Sequence, residues 1–250
     1  MLQKGMEDHN MEGARQVLVH EMMKTKPNAS LVKKEMDVTF ALHRKEFVKD
    51  KPVISQMLQR WPALFTESQV YHEFSRVVGE NLRDFFDALD HISTNLMEIF
   101  KKKKGLTGQL LAELLRLTKT SETTDIRRLC LRGLPIILGD DSSAFFKTCS
   151  DAADKEAYNE TPVGIIIIGE ENSPLNPSRL GIVLEGNVVF DGPANLPQAF
   201  CVLFGLTYAL HLDYLKYMKN TFLFVQQVMF NLGKSQLPPK IQTLKNQLAE

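Results

Sequence analysis

Pro162-Val-Gly-Ile-Ile-Ile-Ile-Gly169 is the stretch that decides the fold class of this chain. It is a continuous β-branched run bounded by glycines, which predicts a strand buried on both faces. The polar, proline-containing stretch from Glu170 to Arg179 then reads as a loop. Gly181-Ile-Val-Leu-Glu-Gly-Asn-Val-Val-Phe190 follows as two strands around a Glu-Gly-Asn turn, a hairpin pattern. Three helical segments complete the C-terminal part, at about residues 196–212, 214–232 and 239–248. Pro238-Pro239 supplies a stop and a fixed first turn for the last of them.

Upstream the period changes from two to 3.6. Residues 12–24 predict a first helix closed by Pro27, and residues 30–49 a second, stopped by Pro52. Trp61-Pro-Ala-Leu-Phe65 is an apolar knot that should pin its connection onto the core. Thr66-Glu-Ser-Gln69 has capping-box spacing ahead of an apolar stripe through Val70, Phe74, Val77 and Val78. The clearest helix is Asn81–Lys103, where Leu82, Phe85, Phe86, Leu89, Ile92, Leu96 and Phe100 recur every three or four residues. Leu110, Leu111, Leu114 and Leu115 mark another helix, and Ile126, Leu129 and Leu134 a further one. A short helix is expected around Phe145 and Phe146, after Gly139-Asp-Asp141 breaks the pattern. The fold expected is therefore α+β: an all-helical region over 1–155, leading into an α+β region over 156–250. That second region should hold a buried strand, a hairpin and three C-terminal helices covering a small sheet.

Composition narrows the function classes. The 250 residues are 44% hydrophobic and 24% charged, with 30 basic residues against 30 acidic. No overall field recruits nucleic acid or an anionic membrane. Charge density drops after residue 155, from 24 Lys/Arg and 22 Asp/Glu to 6 and 8, so the C-terminal part should be the more completely buried. Three cysteines, Cys130, Cys149 and Cys201, are too few and too widely spaced for a disulfide framework or a zinc site. They read as reduced core thiols, with Cys149 the least buried of them. The N-terminus lacks the apolar core of a signal peptide. The longest apolar stretch, Leu196–Leu212, is interrupted by Pro197 and Gln198 and reads as a core helix rather than a span. A soluble protein of the cytoplasm or nucleus, with no membrane partner, is expected.

The templates of catalysis are missing: no Gly-x-Ser-x-Gly elbow, phosphate loop, His-Glu-x-x-His or dinucleotide fingerprint occurs. No catalytic residue, cofactor or metal is therefore assigned, and an enzyme is not expected. Asp84, Asp87, Asp90 and His91 share one helix, and Asp87 and His91 could reach one ion, but they also suit the solvated face opposite the phenylalanine stripe. Lys101–Lys104 could bind phosphate. The run also sits where cations favour the negative end of a helix dipole, and no aromatic residue is interleaved to stack on bases. In the helix over 214–232, Tyr214, Met218, Val225, Val228, Met229 and Leu232 fall on one face, which should pack on the sheet. Leu223 and Phe230 fall among Lys216, Lys219, Gln226 and Gln227 on the other. The pair is a possible contact for a partner helix or a second copy; the alternative is cover by N-terminal helices of the same chain.

Five strings in order carry a resemblance: Trp61-Pro-Ala-Leu-Phe65, Gly181-Ile-Val-Leu-Glu-Gly186, Leu203-Phe-Gly-Leu-Thr-Tyr-Ala-Leu210, Lys219-Asn-Thr-Phe222 and Leu237-Pro-Pro-Lys-Ile-Gln-Thr-Leu-Lys-Asn-Gln-Leu248. From about residue 50 onward the chain resembles the C-terminal region of sterile alpha motif domain-containing protein three-like proteins. The sterile alpha motif itself has no counterpart in the first 50 residues. The resemblance implies no activity and supplies no catalytic residue. The expected function is a non-catalytic interaction or scaffolding protein that binds a protein partner or itself. The alternatives are a nucleic-acid-associated protein using the lysine run, and an uncatalogued enzyme.

Overall fold

A computed structural model describes residues 2–117, 122–149, 155–169, 179–233 and 235–249, with side chains from Asn10 onward. The chain is α+β and divides into two compact units. The first is Met1–Asn81 with Gly205–Leu212, the second Leu82–Phe204 with Asp213–Glu250. Residue 155, where the charge density drops, lies inside the second of these units.

The first unit is helical. α1 (Leu2–Met22), α2 (Ala29–Val38), α3 (Phe40–Lys45), α4 (Ile54–Arg60) and α5 (Glu67–Val78) follow one another. Asn28 starts α2 by accepting the amides of Ser30 and Leu31, both at 3.1 Å. The single helix expected over 30–49 breaks at Thr39, whose hydroxyl donates to the Glu35 carbonyl at 2.8 Å. α3 then widens into one π turn over Glu46–Asp50, ended by Lys51 at φ 44°. The apolar knot is buried as expected: Trp61, Ala63, Leu64 and Phe65 all lie in the core, in a 3₁₀ turn over Pro62–Phe65. The capping box does not form. Thr66 turns its hydroxyl back to the Ala63 carbonyl at 2.8 Å and leaves the α5 amides uncapped by its side chain.

In the second unit α6 (Asp84–Lys102), α7 (Gly105–Leu117) and α8 (Thr123–Leu138) pack on one another. α6 buries Phe85, Leu89, Leu96 and Phe100, four members of the expected stripe. A Cβ at Gly133 of α8 would overlap the Phe100 ring, so α6 and α8 meet where only glycine fits. Four strands follow: β1 (Phe146–Cys149), β2 (Val163–Ile168), β3 (Arg179–Leu184) and β4 (Asn187–Asp191), in sheet order β1-β2-β3-β4. β2 is buried along its whole length, as its sequence requires. It pairs antiparallel with β3, and Glu185-Gly186 turns β3 into β4 with positive φ at both residues.

β1 overturns the helix expected around Phe145 and Phe146. It runs parallel to β2, with Phe146 opposite Ile165 and Cys149 opposite Ile168. Four residues carry too little pattern to declare a strand, and the pairing partner lies beyond a connection. Ser150–Asp154 of that connection and residues 170–178 of the expected loop lie outside the described residues.

α9 (Leu196–Ala209) is buried on every side from Ala199 to Phe204, and its last turn is grouped with the first unit. α10 (Lys219–Phe224) is followed by a second π turn over Val225–Met229, and α11 (Pro239–Leu248) closes the chain. Phe145, just ahead of β1, meets Phe200 of α9 and Phe222 of α10 edge-on, at centroid distances of 6.0 and 5.8 Å. Asp140 caps α10 from a distance in sequence. Its carboxylate accepts the Thr221 amide at 2.7 Å and the Thr221 hydroxyl at 2.8 Å. No helix among the described residues is long and apolar enough to cross a membrane.

Candidate functional site

The first unit holds an open recess of about 340 Å³ lined by Glu46, Asp50, Pro52, Gln56, Met57, Arg60 and Trp61. Local structure brings these side chains together. The π turn carries Glu46 and Asp50, α4 carries Gln56, Met57 and Arg60, and Trp61 enters the core where α4 ends. Met57 and Trp61 are buried, so the floor is apolar. Gln56 and Asp50 are exposed on the rim.

One wall is a charge network. Arg60 grips Glu46 with Nε at 2.9 Å and Nη2 at 2.7 Å, and reaches Glu12 of α1 at 3.0 Å. The Trp61 indole N–H donates to the second Glu46 oxygen at 2.7 Å, and Arg15 holds Glu12 at 2.8 Å. Burial alone would raise the Glu46 carboxyl. The hydrogen bonds from Arg60 and Trp61 outweigh it and hold Glu46 below the ordinary glutamate range. The Arg15 hydrogen bond, opposed by partial burial and helped by Arg60, lowers Glu12 in the same way. The guanidinium of Arg60 is raised by Glu46 in turn. This wall is ionised throughout the neutral range, and each carboxylate is committed to a donor.

Against Trp61 of the recess packs a buried pair with acid–base geometry. His43 Nε2 is 3.0 Å from a Glu73 carboxylate oxygen, and both side chains are fully buried. The rings of Phe40, Phe47 and Trp61 surround the imidazole at 5.5, 5.8 and 5.1 Å. Arg76 takes the other Glu73 oxygen at 2.9 Å and pairs with Asp37 on the outside. Nδ1 of His43 has no partner among the described residues. A histidine sealed by three aromatic rings reaches no substrate, so the pair fixes α3 against α5.

The residues singled out from the sequence are not gathered into one site. Asp84, Asp87, Asp90 and His91 are exposed, Asp90 is held bidentately by Arg127 at 2.7 and 2.6 Å, and no metal-holding group of three occurs among the described residues. All three cysteines are buried, Cys149 included, which lies against Tyr158, Ile166 and Ile168. Burial, with Asp90 adding to it, pushes the Cys130 thiol up to about 12. Leu223 and Phe230 are both half-buried. Phe230 stacks on Phe204 at 5.5 Å and on Phe85 at 6.5 Å. The second π turn explains the difference from the helical wheel. The Phe230 amide bonds to the Val225 carbonyl five residues back, which shifts the following residues round the axis. Gln227, expected on the solvated face, is buried instead.

Residues 11–66 match the family described as sterile alpha motif domain-containing protein 3, helical domain. The first helices are similar to that domain. The match runs from the middle of α1 through the 3₁₀ turn after Trp61, and includes every side chain of the recess and its charged wall. Of the five strings that carry the resemblance, it contains Trp61-Pro-Ala-Leu-Phe65 alone. No curated protein matches the chain, and no solved structure does. The sequence had flagged Trp61 but not Glu12, Glu46 or Arg60. Their partners are 14 and 48 residues away, and nothing local in a glutamate or an arginine announces such a contact.

Proposed function

We propose that the chain is a non-catalytic interaction protein of the sterile alpha motif domain-containing protein 3-like group, acting in the cytoplasm or nucleus. Its recess in the first unit is the contact for a protein partner. The observation that carries this reading is the state of Glu46. Both its oxygens are occupied by Arg60 and Trp61, so the charged wall shapes the recess and offers no free group to react. An apolar floor under a polar rim suits an inserted side chain of a partner, the arrangement of a binding hot spot. Val48 and Val53, close to Asp50 in sequence, are exposed large apolar residues.

A photo-crosslinking residue in place of Gln56, on the rim, tests this in cells. The same residue in place of Lys24, at the end of α1, is the control. A discrete protein adduct from position 56 and none from position 24 supports the reading. Adducts to RNA or DNA alone, or none from either position, overturn it.

A further inference from the structure

The second unit carries a surface of another kind on α7. Leu106 is 73% exposed and Leu110 51%, large apolar side chains left in solvent. With half-buried Leu114 and Leu117 they follow one another at intervals of four, four and three, one continuous stripe on a helix. The opposite side of α7 is used internally, through buried Gly108 and Leu111. Immediately before α7 stands the lysine run. A Cβ at Gly108 would overlap the Lys103 carbonyl, so the α6–α7 turn is drawn tight and the lysines are fixed at the head of the leucine stripe. Lys101 pairs with Glu98 at 2.7 Å; among the described residues Lys102, Lys103 and Lys104 form no contact ion pair, though Lys102 also acts on Glu98. Lys101 and Lys102 close the last turn of α6 and meet the negative end of its dipole, while Lys104 directly precedes α7 and adds to the positive end of the next, so four cations crowd the head of this face.

We propose that α7 and the Lys101–Lys104 turn form a docking face for an acidic amphipathic helix of a partner protein. The proposal rests on the reading of the chain as an interaction protein but uses a surface separate from the recess. Charge selects the occupant. Lys101–Leu117 carries five basic residues and one acidic, so a second copy laid on the same face would oppose like charges. An anionic bilayer would suit the lysines. Glu113, however, borders the leucine stripe, three residues from Leu110 and four from Leu117, and insertion into a bilayer would bury it together with Arg116, its partner at 2.7 Å. A partner helix with leucines on one face and carboxylates near one end meets the leucines, neutralises the lysines and leaves the Glu113–Arg116 pair at its rim.

The test uses the full chain and a fluorescein-labelled stapled helical peptide with leucines on one face and glutamates beside them. A version with lysines replacing the glutamates is measured in parallel, as are vesicles of phosphatidylserine in phosphatidylcholine. Anisotropy should show the acidic peptide binding at least about tenfold more tightly than the basic one. Leu110→Glu and the double variant Lys102→Glu/Lys104→Glu should each weaken it by about tenfold, with the thermal midpoint unchanged. The double variant should turn the preference toward the basic peptide. If Leu110→Glu lowers the midpoint, Leu106→Glu, at the more exposed position, replaces it. Equal binding of both peptides, or binding that neither leucine variant weakens, overturns the proposal. Vesicle binding without peptide binding overturns it too, in favour of a lipid surface. An adduct from Gln56 that persists in these variants shows that such a failure leaves the interaction reading standing.

Discussion

The interiors of the two units are built from different materials. Among the described residues, the buried acids and the buried histidine, Glu21, His43 and Glu73, all lie in the first unit. The buried polar residues of the second are neutral: Thr161, Thr221 and Gln227. Its core is instead an aromatic chain, in which Phe85, Phe145, Phe200, Phe204, Phe222 and Phe230 meet one another at 5.5 to 6.5 Å. The first unit is fixed by paired charges, the second by fit. The first should therefore be sensitive to the loss of a partner, and the second to a change in volume.

The largest effect expected is on the paired-charge side. Glu73→Ala leaves His43 without its hydrogen-bond partner and takes from Arg76 one of its two carboxylates. Removing one member of a buried ionic cluster costs about 3–5 kcal/mol, and urea denaturation should show a loss of that order. A double variant, His43→Leu with Glu73→Leu, removes both polar partners and should recover a large part of it. If the double variant is no more stable than Glu73→Ala, packing and not charge holds α3 to α5, and the contrast between the units fails.

On the fit side, Gly133→Ala adds a single methyl group where the Phe100 ring lies against the α8 backbone. Alanine is the better helix former, so propensity alone predicts stabilisation by up to about 1 kcal/mol. Overlap with a ring that is itself fully buried should reverse the sign and cost about 1–3 kcal/mol. The pair Gly133→Ala with Phe100→Leu should lose less than the two single changes added together. A thermal midpoint raised by Gly133→Ala would show that α6 and α8 can separate freely, and that the second unit is not fixed by fit at this contact.

Sequence legibility follows the same division. β2 was readable because four isoleucines between glycines allow one environment, and α6 because its stripe repeats over five turns. Both signals are local and apolar. β1 was not readable. Of its four residues, Phe146 and Cys149 are buried and the two between are not, a pattern that fits one helical turn as well as a strand. What settles it is the ladder to Ile165–Ile168, which lies outside any local window. The two π turns escaped for a related reason. One extra residue per turn leaves no compositional mark, yet in the second case it carries Phe230 into a stack with Phe85 and Phe204. The recess was half legible. Trp61 and Pro62 declared a buried corner, but the wall depends on Glu12, Glu46 and Arg60 meeting across three separate helical segments. Charges of this kind look in sequence like any solvated face.

The smallest effect sharpens the comparison through pH. Glu46→Gln keeps the shape of the side chain and removes its charge. Arg60 is 39% exposed and partly screened by solvent, so the loss at neutral pH should be only about 1 kcal/mol. The sign with pH follows from the direction of the shift. Glu46 is held below the ordinary glutamate value in the folded chain, so its contribution is present above that value and is lost as pH falls through the lower folded one. Glu12, lowered chiefly by Arg15, adds to the same trend. Wild type and Glu46→Gln should therefore differ at pH 7 and converge on acidification below about pH 4.3, the ordinary glutamate value. Gly133→Ala, which removes no charge, should stay below wild type by a constant margin over the same range. Urea midpoints of the three proteins measured side by side from pH 7 down to pH 3 decide the matter. A gap between wild type and Glu46→Gln that does not narrow would mean that the Arg60–Glu46 pair adds no stability of its own. The recess wall would then be held by the Trp61 corner, and the first unit, like the second, by packing.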